Sequence, residues 1–123
     1  PYVAKENTII DIEFLKEKKN YLLQFCDVLI IEGAGGLMVP IEKDLFIIDL
    51  IKIFEASAIL IAPSKLGCIN DTLLSVNALK EKNIDFELFI NLYQDIESFE
   101  KVSKPFLIDY FKKLNFLEDL ENL

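Results

Sequence analysis

The 123-residue sequence predicts an α/β fold built on an open parallel sheet. Two observations lead there. Short apolar runs, the first of them rich in β-branched residues, alternate with longer segments of helical periodicity, the pattern of right-handed βαβ units. The first two runs also stop abruptly in polar sequence containing glycine or proline, as strands buried on both faces do.

Residues 11–25 (DIEFLKEKKNYLLQF) place Ile12, Leu15, Leu22 and Phe25 near one helical face, interrupted by Lys18 and Lys19, with Asp11 as N-cap. VLII, 28–31, reads as the first buried strand and ends in Glu32 and a glycine cluster. Residues 45–55 (LFIIDLIKIFE) read as a helix, although their isoleucines also suit a strand. SAILIA, 57–62, is the second strand, stopped by Pro63. Residues 70–82 (NDTLLSVNALKEK) form a well-patterned helix opened by Asn70 or Asp71, and FELFIN, 86–91, is the third strand. After Pro105, residues 106–114 (FLIDYFKKL) read as a helix and 115–123 as an acidic, frayed tail.

Hydrophobic residues make up 52% of the chain, ample for one core in one domain or part of one. The net charge of −8, without a basic cluster, opposes nucleic acid and anionic membrane as partners. The apolar runs are broken by charge before membrane-spanning length, and no signal pattern is present. Cys26 and Cys68 stand far apart, and histidine is absent. That argues against a zinc site and excludes histidine-dependent triads, leaving a carboxylate, a lysine or the substrate as any general base. Two separate cysteines in an acidic chain fit the reducing cytoplasm. The chain opens on Pro1 without a methionine or leader, as expected of a cut piece.

In an open parallel sheet, ligands bind beyond the carboxyl ends of the strands. Here those ends carry Glu32-Gly33-Ala34-Gly35-Gly36, then Pro63-Ser64-Lys65-Leu66-Gly67, then Asn91. Topology therefore predicts that all three converge. An acidic residue at a strand exit suits Mg²⁺ near a phosphate, or simply ends the strand in solvent. Three of the four glycines fall within 33–36, where they admit close backbone approach or merely a tight turn. Leu66-Gly67-Cys68-Ile69-Asn70 leads into a helix whose free N–H groups suit a carboxylate or phosphate, or form an ordinary capped start. Asn91 could read a base edge or satisfy loop backbone, and Cys68 reads as a packing residue, with no neighbouring cation to activate it. No glycine precedes a lysine, so the chain contains no GxxxxGK(S/T) loop.

Taken together, IIEGAGGLMVPI (30–41), SKLGCIN (64–70) and FIN (89–91) resemble dethiobiotin synthetase, with PYVAKE (1–6) as a weaker match. The likeness spans roughly residues 1–92. EGAGG-x-x-VP followed by LGxIN is far more specific than either piece alone. The resemblance implies a three-layer parallel sheet of the P-loop NTPase type, incomplete here because its N-terminal strands are missing. Residues 1–123 would be a partial domain of that kind. Such enzymes close a cyclic urea on diaminopelargonate with CO₂, ATP and Mg²⁺, through a carbamate and a carbamic-phosphoric anhydride, as cytoplasmic homodimers.

By resemblance, Glu32 would be a Mg²⁺ ligand, and Glu32, Gly33, Ala34 and Gly35 would border the phosphates and carbamate. Asn91 and Leu92 would contact the nucleotide base. Gly35, Gly36, Leu66, Gly67, Cys68, Ile69 and Asn70 would bind substrate, the last five at its carboxylate tail. The catalytic lysines of the family lie in the missing P-loop segment, so no residue here is assigned to catalysis. Two departures stand out. Asp71 occupies a position where histidine is frequent, and the segment after Asn91 does not follow the usual adenine-binding wall. The competing readings are a cobyrinate diamide synthase-like amidoligase, a ParA-like partner-binding ATPase and a pseudo-enzyme.

Overall fold

The computed structural model describes residues 9–122, so the opening PYVAKE lies outside the described residues. The chain divides between Ala56 and Ser57 into two compact units.

The first unit begins with helix α1, Ile12–Leu22. Asp11 caps it as its composition predicts, its carboxylate accepting from the Phe14 N–H at 3.0 Å. No residue of α1 is fully buried, and Leu22 and Phe25, expected on the core face, are exposed. An antiparallel hairpin follows, β1 (Pro40–Glu42) and β2 (Leu45–Phe46), turning at Lys43-Asp44. Helix α2, Ile47–Ile53, runs directly out of β2. The expected helix over 45–55 is therefore shorter: Leu45 and Phe46 pair with β1 instead. Asp49 marks the real start, its carboxylate accepting from the Phe46 N–H at 2.9 Å. At the other end Lys19 Nζ donates to the Phe54 carbonyl at 2.8 Å, placing a cation at the C-terminus of α2.

The expected strand over 28–31 is corrected. Residues 28–33 form no ladder, and Val28 and Ile30 are 75% and 88% exposed. A strand needs a neighbour for its backbone groups, and β-branched composition alone supplies none.

The second unit holds the parallel sheet, in the order β3–β4–β5. Strand β3 (Ala58–Pro63) pairs along its whole length with β4 (Phe86–Asn91), from Ala58 opposite Phe86 to Pro63 opposite Asn91. Helix α3, Cys68–Glu81, carries the chain between them. It buries Cys68, Thr72, Val76 and Leu79, one stripe at helical spacing. It thus begins two residues before Asn70, with Gly67 as its N-cap residue.

After β4 come a single turn α4 (Ile96–Ser98), a π-helical stretch (Phe99–Ser103) and α5 (Lys104–Phe111). Pro105 falls inside α5's first turn, where a missing N–H is harmless. Of the tail expected to fray, residues 115–122 take regular structure, and 123 lies outside the described residues. Asn115–Phe116 form β5, parallel to β4, and a 3₁₀ helix spans Leu117–Asn122. Ala62, Cys68, Ile90, Phe99 and Leu107 make up the core, flanked by Leu88, Phe111 and Phe116. Each large side chain sealed there contributes about 1.5–3 kcal/mol.

The sheet is not buried on both faces, as its apolar runs predict. Ile59 and Ile61 of β3 are exposed, and among the described residues β3 has a partner on one edge only.

Candidate functional site

Each unit carries one cluster of candidate residues. In the first unit, the loop after 28–31 turns at Gly35, whose φ of +87° an L side chain rarely adopts. A Cβ there would also meet Val39 Cγ2 at 2.9 Å, and one on Gly33 would meet Ile47 Cγ2 at 2.8 Å. Gly36 has open space around it. Two glycines of the cluster are therefore required by packing within this unit. The loop is tied to α2: the Ile47 N–H donates to the Val39 carbonyl at 3.0 Å, and the Ile48 N–H to the Leu37 carbonyl at 2.9 Å. Those bonds consume N-terminal donors of α2, so this helix start is closed by protein.

Glu32 is exposed and makes no hydrogen bond or ion pair among the described residues. No three His, Cys, Asp or Glu side chains gather to hold a metal among those residues. A lone carboxylate still fits Mg²⁺, which commonly takes one or two carboxylates, with phosphates and waters completing its octahedron.

In the second unit, two of the three predicted strand ends meet. Pro63 and Asn91 face each other at the carboxyl end of the ladder. Asn91 and Leu92 are half-buried, and the Asn91 amide makes no hydrogen bond among the described residues. Beyond Pro63 the chain turns through Ser64, Lys65 and Leu66 into α3. Gly67, at φ +89°, sets the entry angle. The Cys68 N–H donates to the Lys65 carbonyl at 3.0 Å and Asp71 N–H to the Gly67 carbonyl at 3.1 Å. That leaves the Ile69 and Asn70 N–H groups without a partner among the described residues, at the positive end of a 14-residue helix.

Side chains here divide by burial. Cys68 is sealed in the core and Ile69 half-buried, while Leu66 is 89% exposed and Gly67 and Asn70 are also exposed. Cys68 can thus contribute packing but no accessible thiol. Asp71 accepts from the Asn70 side-chain amide at 3.3 Å and lies 3.9 Å from Lys65 Nζ. Both partners are half-exposed, so the pair adds little stability and chiefly offsets an acidic charge near the open donors.

Three residues that motif reading did not assign also shape this end of the sheet. Ser64, only 2% exposed, donates its hydroxyl to the Gln94 carbonyl and accepts from the Gln94 N–H at 3.3 Å. Asp95 Oδ2 accepts from the Leu66 N–H at 3.1 Å. A serine following a proline at a strand's exit was the available signal for Ser64. Gln94 and Asp95 offered only turn-forming composition.

The family model described as AAA domain matches residues 2–122. The ATP-dependent dethiobiotin synthetase of Sulfurovum sp. strain NBC37-1 is 54% identical over 106 residues, which are 86% of this chain and 50% of that protein. The protein of the same name from Wolinella succinogenes is 38% identical across all of this chain and 59% of its own length. That from Methanocaldococcus jannaschii is 36% identical over 94% of this chain and 60% of its own length. The chain thus spans about half the length of the curated relatives it matches.

Proposed function

The chain belongs to the AAA domain family, and from that premise we propose that it is part of an ATP-dependent dethiobiotin synthetase. The complete protein would form dethiobiotin from diaminopelargonate, CO₂ and ATP in biotin biosynthesis. The observation that carries this reading is the 54% identity to the Sulfurovum protein. A match of that extent leaves too little of the chain uncovered to miss either the EGAGG or the LGCIN loop. The relatives reported above bear this name, rather than that of a cobyrinate-amidating or partner-binding ATPase.

The chemistry fits a chain without histidine. Attack of an amine on CO₂, activation by ATP and closure by the second amine require positioning and charge stabilisation more than a dedicated base. The Ile69 and Asn70 N–H groups, at the positive end of α3, would hold the substrate carboxylate. Exposed Leu66, Gly67 and Asn70 would flank its tail, with Cys68 and Ile69 shaping the turn from behind. Asn91 would direct its unpartnered amide at the nucleotide base, with Leu92 beside it. Glu32 through Gly35 would border the phosphates and the carbamate, and Gly35 and Gly36 the substrate. Glu32 would hold Mg²⁺ through one carboxylate; the ion supplies neutralisation of phosphate charge when bound. The protein would work as a homodimer in the cytoplasm. No helix among the described residues is long and apolar enough to cross a membrane.

The test uses the full-length protein with diaminopelargonate, bicarbonate, ATP and Mg²⁺. Product of the mass of dethiobiotin, formed only with ATP, supports the reading. ATP hydrolysis without that product, whatever the amine supplied, overturns it.

A further inference from the structure

The parallel ladder ends at Pro63 opposite Asn91, and Ser64 takes over where it stops. Its buried hydroxyl bonds both the carbonyl and the N–H of Gln94, three residues beyond Asn91, as a strand's backbone would. Two residues further on, the Leu66 N–H is held by Asp95 Oδ2. Asp95 itself sits at φ +48°, and its carbonyl accepts from the Phe99 N–H at 2.8 Å, opening the helical segment that buries Phe99 in the core. The loop entering α3 is thereby fastened, through two side chains, to the loop leaving β4. No other hydrogen bond joins the two loops among the described residues.

We infer that Ser64 and Asp95 are positioning residues, which set the open N–H donors of Ile69 and Asn70 at a fixed place relative to Asn91. The inference rests on the reading that the first group holds the substrate carboxylate and the second the nucleotide base. Neither Ser64 nor Asp95 needs to touch a ligand. Ser64 acts by replacing the missing ladder bonds, since Pro63 offers no N–H and the strands diverge beyond it. Asp95 acts by a charge-assisted bond to backbone, stronger than a neutral one. Losing either clamp lets the α3 entry loop drift, and a shift of a fraction of an ångström at a binding donor weakens the site it serves.

The experiment compares Ser64→Ala, Ser64→Thr and Asp95→Asn with the wild type in the full-length protein. Asn115→Ala serves as a control, because it removes a bond from Asn115 Nδ2 to the Leu88 carbonyl elsewhere in the same sheet. The first readout is amide hydrogen exchange, which needs no enzyme activity. In this segment, exchange at the bonded Leu66 and Cys68 amides should rise about tenfold in Ser64→Ala, with β4 unchanged, and return toward wild type in Ser64→Thr. Asp95→Asn, at an exposed position that leaves the core intact, should give a smaller rise in the same segment. The second readout is steady-state kinetics. The KM for diaminopelargonate should rise several-fold in Ser64→Ala while kcat holds, and the Asn115→Ala control should leave that KM unchanged. Exchange that rises evenly over the whole sheet, or a KM that moves equally in the control, overturns the positioning role. A wild-type protein that makes no dethiobiotin would instead overturn the functional reading, and the exchange result would still decide whether the clamp exists.

Discussion

Asn91 lies directly across the parallel ladder from Pro63, at the carboxyl end of both strands. Its side-chain amide is half-buried and has no hydrogen-bond partner among the described residues, although it sits at the sheet end where ligands gather. If that amide serves a nucleotide base, Asn91→Ala in the full-length protein should raise the KM for ATP by about 3- to 10-fold, the worth of one hydrogen bond. Thermal unfolding should hardly change, because no protein bond is lost. An unchanged KM for ATP would assign the amide to solvent.

Among the described residues Glu32 makes no bond whose loss would affect folding. Glu32→Gln should therefore leave the unfolding temperature in place while raising the Mg²⁺ concentration needed for half-maximal turnover, since the amide keeps the shape and loses the charge. Superimposable Mg²⁺ titrations would reduce Glu32 to a solvated carboxylate.

Gly35 and Gly67 share a left-handed backbone but differ in their surroundings. Gly67→Ala meets open space and should cost only the backbone penalty, about 1–2 kcal/mol. Gly35→Ala adds an overlap with Val39 Cγ2 and should cost more. Val39→Ala should recover part of the loss in the Gly35→Ala background and none in the Gly67→Ala background. Denaturant unfolding of the single and double variants reads both differences.

The two cysteines should part company in a labelling experiment. Cys26 is exposed and Cys68 is sealed in the core beside Ile90 and Leu107. Brief treatment of the native protein with iodoacetamide, followed by peptide mass analysis, should mark Cys26 well before Cys68. Equal labelling would show that the start of α3 opens readily.

Expressed by itself, the 123-residue chain should associate and should form no dethiobiotin. It has no GxxxxGK(S/T) loop to grip the β- and γ-phosphates. Among the described residues it also presents a β3 edge without a partner, with Ile59 and Ile61 exposed, and Val28 and Ile30 are exposed as well. Such an edge is a template for pairing with another chain. Sedimentation over a concentration series should show mass above that of the monomer. A monodisperse monomer as stable as the full-length protein would mean that these surfaces need no cover.

Most of the second unit is legible in the sequence. The period of 3.6 in residues 70–82, the short apolar runs on either side and the stop at Pro63 are local properties, and they yielded α3, β3, β4 and their parallel order. Asp11 as a cap was equally local. The LGCIN turn was legible as a helix start, although the backbone begins its helix at Cys68, and only the fold shows which of its donors stay open.

Hydrogen bonding across the chain decided the rest. VLII has the composition of a strand, yet a strand exists only where another backbone lies within reach, and among the described residues none pairs with 28–31. Leu45 and Phe46, by contrast, leave a helical pattern because β1 offers them partners, and Asn115–Phe116 become β5 because β4 has a free edge for them. Ser64 and Gln94 are joined across thirty residues of sequence, a separation at which no periodicity carries information. Composition set what each segment could become; proximity in the folded chain decided which of those options was satisfied.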